Sequence, residues 1–310
     1  MIRINESDYA YASARIRAKE PKLLKSSQYD RMLEAQDVDD AFKVLIEAGY
    51  GFSGSGKTGA SDFEELLADE MKKCYSLLEE IAPQIEVVRA FQRRHDYFNI
   101  KVLLKAEFSG RETPPILTDL GTIGTEAVTR MVRERDYSEM SAVMQQAIAD
   151  VYDAFSRKHD PQEVDLILDR AYYNQFAADI KEIDNPFLHK LADIIIDTTN
   201  IKMYIRAKTL GKAWDFISRL LVDGGTIPYK TYIENSDKPV ESFVEDIRSS
   251  NYGETAEKGW EMYKATNNIS GLEKMLDDYI MKFVQEAKLV TMGVEPLIAW
   301  LFAKEAEIRN

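Results

Sequence analysis

Hydrophobic residues recur at intervals of three and four along almost the whole chain. Leu272, Met275, Leu276, Tyr279, Ile280 and Phe283 fall on one face of a helix, as do Phe63, Leu66, Leu67, Cys74, Leu77 and Ile81. Ile85, Val88, Phe91, His95, Phe98 and Val102 form a third such stripe. No stretch alternates polar and apolar residues between hairpin signals, so no strand is predicted. Glycine and proline fall between the stripes, at Gly49–Gly59, Gly110–Pro115, Gly121–Gly124, Gly224–Pro228 and Gly253, where loops between helices are expected. The pattern predicts an all-α protein.

The chain also repeats itself. Asp96-Tyr-Phe-Asn99-Ile100-Lys101 and the residues to Ala106 match Asp197-Thr-Thr-Asn200-Ile201-Lys202 and the residues to Ala207. Each copy is followed by a second shared element, Leu117-Thr-Asp119-Leu-Gly121-Thr122-Ile123 and Leu221-Val-Asp223-Gly-Gly225-Thr226-Ile227. A partial third copy, Glu307-Ile-Arg-Asn310, closes the chain, and Tyr50-Gly51 is echoed by Tyr252-Gly253. Ala14-Arg-Ile-Arg17-Ala18-Lys19 reads as the opening of a first unit without its Asn. Three helical units follow, at residues 1–98, 99–199 and 200–310. Asn is disfavoured inside a helix by about 0.7 kcal/mol, so its recurrence there implies a tertiary role. The acid three positions earlier shares its face. We read Asp96, Asn99 and Lys101, Asp197, Asn200 and Lys202, and Glu307 and Asn310 as a structural polar clasp between long helices.

Composition narrows the function. The net charge of −13 opposes binding to phosphate backbones or anionic lipid. The basic cluster Arg15, Arg17, Lys19, Lys22 and Lys25 has no interleaved aromatic platform and reads as a solvated helix face. A single cysteine, Cys74, precludes an internal disulfide and fits a reducing compartment. The longest apolar run, Leu297 to Ala303, is far below the ~20 residues of a membrane span, and residues 1–20 hold no signal-peptide core. His95, His159 and His189 lack partners at metal-ligand spacing, and Glu64-Glu65 and Glu79-Glu80 read as solvated pairs. No catalytic residue, cofactor or metal is predicted.

One motif points the other way. Gly51-Phe-Ser-Gly-Ser-Gly56-Lys57-Thr58 fits the phosphate-loop pattern in full, which would make the chain a nucleotide-binding enzyme. A working phosphate loop runs from a buried strand directly into a helix, so that backbone N–H groups converge on the phosphates. Here Phe42, Leu45 and Ile46 have helical spacing, and a capping box at Ser61-Asp-Phe-Glu64 starts the next helix too late. Gly51, Gly56, Lys57 and Thr58 are therefore read as a flexible loop that imitates the motif. Ile194-Ile195-Ile196-Asp197 imitates its magnesium-binding partner, but Asp197 aligns with Asp96, which ends no apolar strand.

The opening Tyr9-Ala-Tyr-Ala-Ser-Ala14-Arg15-Ile16-Arg17-Ala18, the two Asn-Ile-Lys elements, and the block from Glu286 through Met292-Gly-Val-Glu-Pro-Leu-Ile-Ala299 to Asn310 resemble one family. It is the C subunit of prokaryotic V-type (A-type) ATPases, the counterpart of the eukaryotic d subunit, and the likeness runs from about Tyr9 to Asn310. The resemblance implies three similar helical units arranged as a pseudo-threefold funnel. It further implies a non-catalytic socket on the cytoplasmic face of the membrane, peripheral, with the proteolipid ring and the central-shaft subunits as partners. Torque would pass through it during ATP-coupled proton or sodium transport. Such chains continue a few helical turns past the third Asn, so the third unit is expected to be shortened at its C-terminal end. A helical scaffold for an unrelated assembly is the other non-enzymatic reading of the same helices.

Overall fold

The computed structural model describes residues 1–51 and 63–309. They form an all-α protein. A two-residue strand β1 (Ile2–Arg3) precedes the helices α1 (Ala10–Lys19), α2 (Ser26–Leu33), α3 (Val38–Glu47) and α4 (Phe63–Ile81). Then come α5 (Ile85–Ser109), α6 (Thr125–Glu134), α7 (Ala142–Lys158) and α8 (Gln162–Lys181), followed by strand β2 (Ile183–Asp184). The remainder is α9 (Pro186–Thr209), α10 (Trp214–Leu220), α11 (Tyr229–Glu234), α12 (Val240–Asp246), α13 (Gly253–Thr266), α14 (Ser270–Glu286) and α15 (Glu295–Arg309).

The helix ends follow local chemistry. Asp37 caps α3 by accepting from the Asp40 N–H at 2.8 Å, and Asn185 caps α9 by accepting from Leu188 N–H at 2.9 Å, with Pro186 in the first turn. Gly110 ends α5 in the left-handed conformation, at φ 62°. Gly253 is not a loop residue: it opens α13, where a Cβ would collide with the Arg248 carbonyl. Helical periodicity also could not reveal β1 and β2, which pair in parallel through Ile2–Ile183 and Arg3–Asp184, because two residues carry no period.

Long helices pack in a set order: α5 on α8, α8 on α9, α9 on α14, α14 on α15, and α15 on α4. Phe91 of α5 meets Phe302 of α15 edge to face at 5.8 Å, closing the circuit. Being surrounded changes what α5 buries. Asp96, Tyr97, Asn99 and Ile100 are buried on it, whereas Phe98, placed on the expected apolar stripe, is 39% exposed. One core lies among α5 to α8 around Tyr97, Leu104 and Met144, and another among α9 to α14 around Tyr204, Phe243 and Leu276. The largest joins both ends of the chain, with Tyr9 and Ile16 packed among Leu78, Leu188 and Leu297. A small one unites Phe42, Tyr50 and Leu66. Arg17 departs from the solvated reading of its cluster, donating to the carbonyls of Lys288 at 3.1 Å and Val290 at 2.7 Å. No helix among the described residues is long and apolar enough to cross a membrane.

Candidate functional site

The repeated element builds two kinds of joint. Asp96 accepts from Thr122 Oγ1 at 2.7 Å and from the Ile123 N–H at 2.9 Å, and Asn99 exchanges two hydrogen bonds with the backbone of Thr118, at 3.0 and 2.7 Å. Asp197 accepts from Thr226 N–H, Thr226 Oγ1 and Ile227 N–H at 2.8, 2.7 and 3.1 Å, and Asn200 exchanges two bonds with Val222. Acid and amide thus grip the loop that leaves their own helix, not a second helix. The lysine makes the helix-to-helix joint: Lys101 reaches Asp169 of α8 at 2.5 Å and Lys202 reaches Asp277 of α14 at 2.7 Å.

The tight loops depend on glycine. A Cβ on Gly121 or on Gly225 would sit inside the contact radius of an oxygen of Asp96 or Asp197, and Gly225 also holds φ at +76°. Burial raises the Asp96 carboxyl above the usual range, against the lowering effect of its bonds to Thr122 and Ile123.

Glu307 carries the third clasp. One oxygen accepts from the Leu24 N–H at 2.5 Å, the other from Tyr50 Oη and from Lys304 Nζ, the latter at 2.6 Å. The gripped segment comes from the opposite end of the sequence, which no repeat alignment indicated. Asn310 lies outside the described residues, as do Gly56, Lys57, Thr58 and the Ser61 of the capping box. Gly51 is described, at φ 79°, and the segment leading to it is helix α3 where a phosphate loop follows a strand.

The circuit of helices encloses an open cavity of about 900 Å³. Five helices wall it: α5, α8, α9, α14 and α15. Phe91 and Phe98 on α5, Tyr172 and Phe176 on α8, and Phe302 on α15 make one side aromatic, and α14 contributes Glu273, Lys274, Asp277 and Asp278. Arg94 of α5 pairs with Glu305 of α15 at 3.0 Å for one of its contacts and donates to Tyr75 Oη at 3.1 Å. Among the described residues no three His, Cys, Asp or Glu side chains come together as a group that could hold a metal. Cys74 is buried, and burial drives its thiol well above its ordinary pKa.

Residues 12–310 match the model of the ATP synthase (C/AC39) subunit family. The chain belongs to that family. It is 26% identical over 306 residues to the C subunit of the V-type sodium ATPase of Enterococcus hirae, an alignment covering 98% of this chain and 92% of the relative. It is 27% identical over 334 residues to the C subunit of the A-type ATP synthase of Methanocaldococcus jannaschii, covering 99% and 82%. The C subunit of the Methanothermobacter thermautotrophicus A-type ATP synthase is 25% identical over 327 residues, covering 97% and 82%.

In this member of the ATP synthase (C/AC39) subunit family the cavity wall carries a pH-sensitive residue. Burial, and then the neighbouring Arg94, lowers His95 to a pKa of about 3. Its Nε2 accepts from Arg94 Nε at 3.2 Å, so the neutral ring is the form the fold uses. The unfolded chain protonates this imidazole below about pH 6.5, where the folded chain does not. Its contribution to stability is therefore complete above pH 6.5 and lost as pH falls from 6.5 toward 3, at no more than about 1.4 kcal/mol per pH unit. His95→Phe, which keeps an aromatic ring beside Tyr75, is expected to flatten the decline of the urea midpoint between about pH 6.5 and 4.5. An unchanged slope would exclude this residue as the source.

Proposed function

We propose that this chain is a non-catalytic subunit of a rotary V/A-type ATPase, a socket that joins the central shaft to the membrane proteolipid ring and carries torque between them. The single observation that carries this reading is the open cavity of about 900 Å³ walled by helices from along the chain, in a member of a family whose relatives are named as the C subunit of such ATPases. A part that transmits torque needs stiffness, and long helices bolted together by Lys101–Asp169, Lys202–Asp277 and Arg94–Glu305 supply it. On this reading the protein lies peripherally on the cytoplasmic face of the membrane, its contact with lipid made only through the ring.

The same proposal redraws the units. Glu307 bonds Leu24 as Asp96 bonds Ile123 and Asp197 bonds Ile227. Helix α15 packs on α4 as α5 packs on α8 and α9 on α14. Three units made of α5–α8, α9–α14, and α15 with α1–α4 then stand around the cavity as a pseudo-threefold funnel, in place of divisions at residues 98 and 199. Gentle extraction of native membranes is expected to recover the chain with both the shaft and the ring. Recovery with neither partner would overturn the proposal.

A further inference from the structure

The two copies of the repeat differ in one place that their shared clasps do not explain. Ten residues lie between Ala106 and Leu117, but thirteen lie between Ala207 and Leu221. Both stretches leave their long helix through a left-handed glycine, Gly110 at φ 62° and Gly211 at φ 66°, followed by a base, Arg111 or Lys212. The shorter stretch then runs on to α6 without a helix of its own. The longer one forms α10, which packs on α8 and α9.

Between α8, α9 and α10 lies a cavity of about 280 Å³, near the lower end of the range of about 300–1,000 Å³ that small molecules occupy. Its interior is apolar, lined by Leu166, Met203, Ala207, Phe216, Leu220 and Val222. Its charges are nearly balanced. Asp165 and Asp169 meet lysines of α5, Lys105 and Lys101, each at 2.5 Å, and Arg206 pairs with Glu273 of α14. Arg170 has only the exposed Asp223, at 3.4 Å. Lys212, exposed at the rim, has no acid at all. Its ammonium stands 5.2 Å from the centre of the Phe216 ring and, among the described residues, makes neither an ion pair nor a hydrogen bond. The wall thus carries one positive charge that nothing answers, in a chain whose net charge is −13.

We propose that this cavity binds a small amphipathic carboxylate, its apolar chain against Met203, Leu220 and Val222 and its carboxylate on Lys212, with Arg170 as a second donor. An exposed pair as long as Arg170–Asp223 is worth too little to compete with such a ligand. A phosphate head fits less well, because it brings nearly two negative charges to a single surplus cation with Asp165 and Asp169 in the same wall. When bound, the ligand ties α8 to α9 and α10. The site does not depend on the socket reading.

The test titrates the purified chain with octanoate by calorimetry. Saturable binding is expected, with a dissociation constant of about 1 mM or tighter, which is within reach of a ligand of about ten non-hydrogen atoms. Acetate, which has the head alone, and octylammonium, which reverses its charge, should each bind at least about tenfold more weakly. Lys212→Glu is expected to weaken octanoate about tenfold, Lys212→Arg to keep it within about threefold, and Leu220→Trp to abolish binding by filling the cavity. Arg111→Glu, at the corresponding place in the first copy, should leave binding within about twofold. Octanoate should also raise the thermal midpoint of the original chain and not that of Lys212→Glu at the same concentration. Lys212 is exposed, so its ligand-free unfolding should not move, and it decides the matter even where Leu220→Trp destabilises the fold. Octanoate binding that Lys212→Glu leaves within about twofold overturns the inference, as does equal binding of octylammonium or no saturation below about 10 mM.

Discussion

Gly225→Ala is expected to lower the unfolding free energy by about 3 kcal/mol. Two costs add: a residue with a Cβ is forced to φ +76°, for roughly 1 kcal/mol, and the new methyl group overlaps the Asp197 carboxylate. Asp197 cannot retreat, since three donors from Thr226 and Ile227 hold it and it is fully buried. Asp197→Ala alone is expected to cost about 3 kcal/mol, mainly because the Thr226 and Ile227 N–H groups lose their acceptor. The two changes share a cause, so the double variant should cost at least about 1 kcal/mol less than their sum. Chemical denaturation of all four proteins checks this, and strict additivity would mean that glycine and carboxylate do not constrain each other. Gly121→Ala, without the positive φ, should pay the steric part only.

Glu307→Ala is expected to be at least as damaging, at about 3–5 kcal/mol, the usual cost of breaking a buried ion pair. Lys304 is 5% exposed and would keep Glu70 at 3.0 Å while losing its closer partner. Tyr50 Oη and the Leu24 N–H would lose their acceptor at the same time. The damage should also be local. Amide hydrogen exchange is expected to speed up across α2 and α3, which Glu307 ties to α15, while α6 to α8, with their own core, keep their protection. A uniform rise in exchange over the whole chain would show that the third clasp does not hold that segment separately.

Much of the fold can be read from the order of residues, because a helix is a local object. Leu272, Leu276 and Phe283 share a face of α14 through their spacing alone, and Asp37, Asn185 and Gly110 mark helix ends through bonds and torsions within a few residues. The recurrence of Asp, Asn and Lys is equally legible, and so is the need for a tertiary role. What each of the three grips is not. Asp96 and Asn99 turn to the outgoing loop while Lys101 turns to α8, since on a helix a residue three positions on shares the face and one five positions on does not.

Contacts between distant parts of the chain stay hidden for a different reason. Arg17 satisfies carbonyls near residue 290, Glu307 holds Leu24, and Phe91 touches Phe302, and no periodicity encodes a separation of that kind. The exposure of Phe98 belongs with them. Its place in an apolar stripe is a property of one helix, whereas its exposure depends on the five helices that leave a space in front of it.

Residue order alone shows that the chain is helical, that it repeats, and which family it resembles, because periodicity, capping and motif are set by neighbours along the chain. That the helices enclose a cavity, and that the third clasp closes on the other end of the chain, emerges only once the helices are packed together. Those outcomes depend on which faces meet, and side chains far apart in sequence settle that together when the core packs.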